Sequence, residues 1–304
     1  MSNIRYEGGA GSVAQQSDGD LIDNYDLVRL PADNDDLALE NTAYSWLYGL
    51  DHSAIDLKSL AIKQSFTGLF GQADSPVKFR AGARVEIGEH YGPDAPAGSA
   101  RINLELVATS AQGQATQVIV HNTATSAQES GLMPCRLIVD DADAVIEVRK
   151  GRVGIAERAG EATTLSRLRL SYVSSRDSDA EVHVGAGAVI NQIDQQGGTL
   201  KLEAGVAGAS AKIEQAAGTL IMDTDQSSAD VYAAGGTAYL DRFGTITNLY
   251  LDGGDVDLTR TQQARTITNV IRRVAGGSLK YDPGYVTIGG WTDSLAVKLA
   301  ASKP

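Results

Sequence analysis

Cysteine is almost missing from this chain: Cys135 stands alone among 304 residues. A single thiol excludes an intrachain disulfide and any cysteine-rich zinc site. Its setting in MPCRLIVDD, beside an apolar run, suits a buried structural thiol rather than a nucleophile. Prolines number 7, aromatics make up 6% and histidines number 4. His52, His90, His121 and His183 lie far apart, with no HxxxH or HxH spacing, so no histidine metal site is expected. No run approaches the roughly 20 apolar residues of a membrane-spanning helix, and no N-terminal stretch resembles a signal peptide. The expectation is a protein made in a cytoplasm, without a membrane partner. Nucleophile elbow, phosphate loop and GxGxxG-before-helix are all missing; GAGAV at 185–189 opens onto a strand pattern and reads as a turn. Neither a catalytic constellation nor a cofactor is expected.

What the chain has is glycine, 33 of them, with abundant small and β-branched residues. That suits many short strands joined by tight turns around a Leu, Ile and Val core. The net charge of −12 is uneven. Residues 1–60 carry eleven acids against three bases, whereas residues 259–304 carry two against seven. An acidic front and a mildly basic end argue against nucleic acid as the partner, since phosphate neutralisation needs a basic surface.

Four regions follow from the pattern. Residues 1–33 read as a flexible acidic, glycine-rich arm. Residues 34–50, NDDLALENTAYSWLYGL, predict a short helix: Leu39, Ala43, Trp46, Leu47 and Leu50 share a helical face, Asn34 can cap, and Asp35 and Asp36 favour the positive end of the dipole. Trp46 and Leu47 are the expected packing anchors. From there to 185, stretches such as VKFRAGARVEI, RINLELV, CRLIVDD and LRLSYV predict an antiparallel, sandwich-like β body. Residues 186–290 repeat, and 291–304 form a C-terminal tail.

Taking the second glycine of each turn as origin, Gly198, Gly218, Gly236, Gly254 and Gly277 recur at intervals of 20, 18, 18 and 23. Five positions earlier stand Ile193, Ile213, Val231 and Leu249. Two later stand Leu200, Leu220, Ala238, Val256 and Leu279; four later stand Leu202, Met222, Leu240, Leu258 and Tyr281. These apolar columns, alternating with polar ones, predict a β-solenoid of short rungs with glycine at the corner. A turn of 18 residues supplies roughly 60 Å of strand. That fits either a narrow triangular coil or a prism to which several identical chains each give a face; the second makes the protein an obligate homotrimer.

The aspartates of GTITNLYLDGGDVDLTR (residues 244–260) are the densest candidate site. Calcium would need such acids in turn after turn, and here they occupy one. Glycoside cleavage is the other alternative, with Asp255 and Asp257 roughly 7 Å apart on one side of a strand. Column position favours neither: Asp255 stands where other turns have Thr or Ser, Asp257 shares a tolerant outward column, and Asp252 shares one with Gln and Ala. Asp140, Asp141 and Asp143 (DDAD) read as a turn.

Three segments resemble structural proteins of tailed bacteriophages and prophages: LALENTAYSWLYGLDHSAIDLKSLAIKQSFTG, IEVRKGRVGIA and GTITNLYLDGGDVDLTRTQQARTIT. The resemblance implies a non-enzymatic virion protein, a homotrimeric capsid decoration or cement protein bound to the major capsid protein or other virion proteins. A tail fibre or receptor-binding protein engaging a cell-surface glycan is the alternative, and a polysaccharide-degrading β-helix the second.

Overall fold

In the computed structural model the described residues are 3–9, 16–88, 97–107, 115–171, 180–203 and 212–293. They form an all-β solenoid in which every strand pairing is parallel, apart from one isolated antiparallel bridge between Tyr6 and Tyr25. Two ladders run the length of the molecule. In one, the core column reads Ile4, Leu37, Leu60, Val85, Val118, Ile146, Leu168, Ile193, Ile213, Val231, Leu249, Val270 and Trp291. The other climbs from Ser17 through Trp46, Phe70, Ile102, Cys135, Val153, Val182, Leu200, Leu220, Ala238 and Val256 to Leu279. A short third face, where Phe79 pairs with Leu106 and Leu165 with Ile190, gives a triangular section. One chain therefore supplies all faces of each rung and closes its own core.

The repeat expected over 186–290 has the columns read from the sequence, buried as far as Leu258; in the last turn Leu279 is only partly covered and Tyr281 is exposed. The boundary at 186 does not exist: both ladders cross it unbroken. The antiparallel body expected over 34–185 is instead more of the same parallel coil. Its rungs advance by 22 to 33 residues between column positions, against 18 at Ile213–Val231 and Val231–Leu249. Loops of unequal length hide the period without disturbing the register.

The expected helix is also corrected. Residues 34–50 form two strands, Asp36–Leu39 and Ser45–Tyr48, with Asn34 and Asn41 at positive φ between extended segments. Leu37 and Leu39 bury at period two against Leu60 and Ile62, while Ala43, assigned to the helical face, is exposed. Ladder bonds to the next rung satisfy the backbone of this short segment, which overrides the 3.6-residue pattern. The arm expected over 1–33 begins the solenoid: Asn3–Tyr6 is the first strand, with Ile4 and Tyr6 in the core. Residues 24–26 then bond back across it, Glu7 and Gly8 donating to the Asn24 carbonyl and Asp26 donating to that of Arg5. This caps the edge of the first strand. At the other end, residues 291–293 belong to strand Val286–Asp293 rather than to a tail, and 294–304 lie outside the described residues.

Glycine in the corner column is a steric requirement. A methyl group on Gly236 (φ +72) would stand 2.3 Å from the Gly218 carbonyl oxygen, and one on Gly218 (φ +82) equally close to that of Gly198. At Gly254 the left-handed turn moves one residue back, to Gly253, and the added carbon would have 3.1 Å.

Candidate functional site

The residues expected to matter structurally all lie in the core columns or corners. Trp46 is fully buried, stacked on Tyr6 at 4.9 Å and met edge-on by Tyr25, His52, Phe70 and Phe79, with Leu47 beside it. Ile193, Ile213, Val231 and Leu249 fill one column; Leu200, Leu220 and Val256, with Leu202, Leu240 and Leu258 two residues on, line the next face. Cys135 is buried and its thiol pushed up to about 12 by burial, which suits the inert role.

The three aspartates face outward. Asp252 pairs with Arg273, Asp255 accepts from Ser278, and Asp257 accepts from both the backbone and hydroxyl of Thr259. The bonds from Thr259 hold the Asp257 carboxyl below its ordinary range, which unfits it as the general acid of a glycoside hydrolase. In DDAD, Asp141 accepts from the backbone of Thr116 and Asp143, as a turn residue does. His52, His121 and His183 sit on separate rungs, and His90 lies outside the described residues. No group of three or more metal-ligating side chains gathers among the described residues.

The most functionalised concavity is a side cleft of about 340 Å³ on the outer face of the first ladder. Arg169, Asp194, Glu214 and Tyr232 reach it as one outward column that Tyr250 continues on the next rung, since parallel pairing sets them in register. Asp194 is clamped by Arg167 and by Arg169 at 3.5 Å. Burial raises its carboxyl, but the bonds from Arg167 and Gln192 and the two arginine charges outweigh this and hold it below the usual range. Tyr232 and Tyr250 stack at 4.2 Å, 2° from parallel, with Arg273 over Tyr250 and Lys212 near Tyr232. Neighbouring amides form a second outward ladder, Asn269 donating to Asn248 and Asn248 to Asp230. The cleft thus presents alternating donors and acceptors, already paired with one another, and ring edges rather than open ring faces.

The chain matches no protein-family model, no curated protein and no solved structure. Its chemistry must therefore be read from its own groups.

Three of those groups escaped the sequence. Glu157 is turned inward over Gly154, where any side chain would collide with its carboxylate; it accepts from the Met133 backbone and lies 3.8 Å from His183 Nδ1. Burial raises it to about 7, against the opposing bond from Met133 and the charge of Arg136. Arg136 beside it is buried and bonds the Ala73 carbonyl, Asn103 and Glu161. Nothing in the sequence announces this cluster, because its members come from turns of different length. Arg265 is buried too and donates only to backbone carbonyls. Gln195 and Gln215 stack inside the solenoid, each donating to a corner glycine carbonyl and to the next rung. These two were legible: both occupy an inward position, three before the origin, where later turns have Ala233 and Leu251.

Proposed function

We propose that this solenoid is a non-enzymatic structural protein of a tailed-bacteriophage virion, a decoration or cement protein seated on the capsid. The observation that carries the reading is the unbroken pair of ladders. Among the described residues the core columns stack rung on rung from Ile4 to Val256, so the chain makes a rod whose surfaces are left for attachment. The resemblance of residues 37–68, 146–156 and 244–268 to phage structural proteins supplies the setting. Since each rung closes within one chain, the homotrimer of that reading is a lateral bundle of three finished rods, and light scattering at three protomer masses is its signature. Mass spectrometry of gradient-purified particles from the producing cells tests the assignment. A signal at decoration-protein stoichiometry is expected, and absence from the particles refutes it.

The side cleft favours one second reading, a fibre-type protein that holds a cell-surface glycan. Its ranked donors and acceptors suit a polyhydroxyl ligand, whereas its stacked tyrosines leave no ring face for a sugar. A glycan array separates the two readings: selective binding lost in Arg273→Ala supports the glycan, and no selective binding removes it.

A further inference from the structure

The rod exposes its large apolar side chains unevenly. Among the described residues eleven are exposed, and six of them, Leu21, Ile22, Leu27, Val28, Tyr44 and Tyr48, stand in the first two rungs. The next along the chain is Val189. Single apolar side chains on a surface need no explanation, whereas a group of them marks a contact. The loop 20–28 that carries four of the six is also the cap on the first strand, and Gly19 before it donates to the Tyr48 carbonyl.

Val28 is 60% exposed and holds φ +51, a left-handed conformation that strains a β-branched residue. Its N–H donates to the carbonyl of Tyr25, whose ring is locked in the core against Tyr6 and Trp46. The turn is thus fixed from inside, and it holds Val28 out in solvent. The charges around it are of one sign. Residues 16–28 contain Asp18, Asp20, Asp23 and Asp26 and neither Lys nor Arg. Arg29 follows, but both its Nη groups bond the Asp35 carboxylate. Arg5, whose backbone N–H donates to Asp26, turns its guanidinium to Glu7 and Glu40. His52 lies 3.9 Å from Asp20, and burial holds its imidazole below the ordinary range, so it is neutral at pH 7.

We propose that this cap docks on another protein, at a surface where Lys or Arg side chains stand among apolar ones. Leu21, Ile22, Leu27 and Val28 supply the apolar area of such a contact, and Asp20, Asp23 and Asp26 supply acceptors for ammonium or guanidinium groups. The same carboxylates disfavour other occupants. Two caps face to face bring like charges together, and phospholipid surfaces and nucleic acids are themselves anionic. The inference goes beyond the virion reading: it names the end of the rod that makes contact and the chemistry of what it meets, and it holds in any setting.

The probe is a fluorescent peptide of leucine and lysine, patterned as an amphipathic helix and titrated with the full chain. Anisotropy is read at about 0.15 M salt, where attraction between exposed charges is screened beyond about 8 Å. Binding should weaken about tenfold in Asp20→Asn with Asp23→Asn, and as much in Leu27→Ser. The pair Asp223→Asn with Asp225→Asn, on the side of the rod, makes the same change of net charge and should leave binding within about twofold. Val28→Gly removes the strain, so its urea midpoint should hold or rise while binding weakens about threefold. It replaces any cap variant that circular dichroism shows to be unfolded. Equal weakening by the side pair means attraction to net charge alone, and an unbound peptide means that the cap takes no such surface; either overturns the proposal. Equal binding of a leucine and glutamate peptide, or of phosphatidylserine vesicles, overturns it as well. So does a parent whose sedimenting mass rises with concentration unless Leu27 is replaced by Ser, because a second copy then covers the cap.

Discussion

Arg265 tests how the rungs near the C-terminal end of the described residues are held. All five of its N–H groups donate to backbone carbonyls: Nε to Gln263, Nη1 to Leu240 and Asp241, Nη2 to Leu258 and Thr261. The side chain is 3% exposed. It ties the strand Thr237–Arg242 to the end of the next rung and to the exposed loop after it. In Arg265→Ala the carbonyls of Gln263 and Thr261 can turn to water, because their loop is at the surface. Those of Leu240, Asp241 and Leu258 stay inside. At about 1–3 kcal/mol for each orphaned buried group, offset by removing the desolvation cost of a guanidinium, the net loss is about 3–5 kcal/mol. Lysine has three donors on one atom and cannot span five carbonyls, so Arg265→Lys should lose about 2 kcal/mol. Contacts in a solenoid reach only neighbouring rungs, so the loss should be local. Hydrogen exchange read by mass spectrometry should show faster opening of residues 255–293 and unchanged protection of residues 37–87. Uniform loss along the chain, or a change below about 1 kcal/mol in Arg265→Ala, refutes the clamp.

Other substitutions read other parts of the rod. Gly236→Ala should cost several times more than Gly254→Ala, at about 3 against below 1 kcal/mol, because only the first combines positive φ with a backbone carbonyl at 2.3 Å; urea midpoints decide it. Glu157, raised to about 7 from 4.5, binds its proton more tightly folded than unfolded. Its contribution is therefore fully present below about pH 4.5 and lost as pH rises through about 7, a fall of about 1–3 kcal/mol. Glu157→Gln should flatten that part of the stability–pH curve, and an unchanged slope counts against the buried carboxyl as its cause. Trp46→Ala should cost about 3–5 kcal/mol through the cavity left among Tyr6, Phe70 and Phe79, while Trp291→Ala, at a half-exposed position, should cost below about 1.

The sequence displayed the solenoid only where the rungs are short and equal. Between Ile193 and Leu258 the columns, the corner glycines and the outward aspartates could all be read from spacing, since the one register shift there, after Met222, falls beyond the apolar positions of its strand. Upstream, the same Val and Ile columns are present, but they recur at unequal intervals of 22 to 33 residues, and alternating strands at irregular spacing look equally like a sandwich. The helix expected around Trp46 failed for a related reason. Leu39, Trp46 and Leu50 satisfy a helical spacing by chance of turn length, while Leu37 and Leu39 carry the period-two signal that the ladder uses. Of the chemically distinctive groups, the paired aspartates were legible as outward, whereas Glu157 depends on a backbone N–H, and Arg136 and Arg265 on backbone carbonyls, brought from 20 or more residues away.

The cap also bears on how the rod comes into being. Residues 3–9 and 16–30 leave the ribosome before the later rungs, and together with Asp36–Leu39 they close one edge for those rungs to build on. Each following rung then has a finished strand edge to add to, and closes a loop of only 18 to 33 residues, a small entropic cost at every step. The molecule is laid down in the direction of synthesis, from template to template, and never needs a distant partner strand. Chains arrested at successive rung boundaries should accordingly acquire protease resistance one rung at a time, from the amino end. Scrambling residues 20–28 should delay every later step, including those beyond the rungs of Trp46 and His52 that they touch.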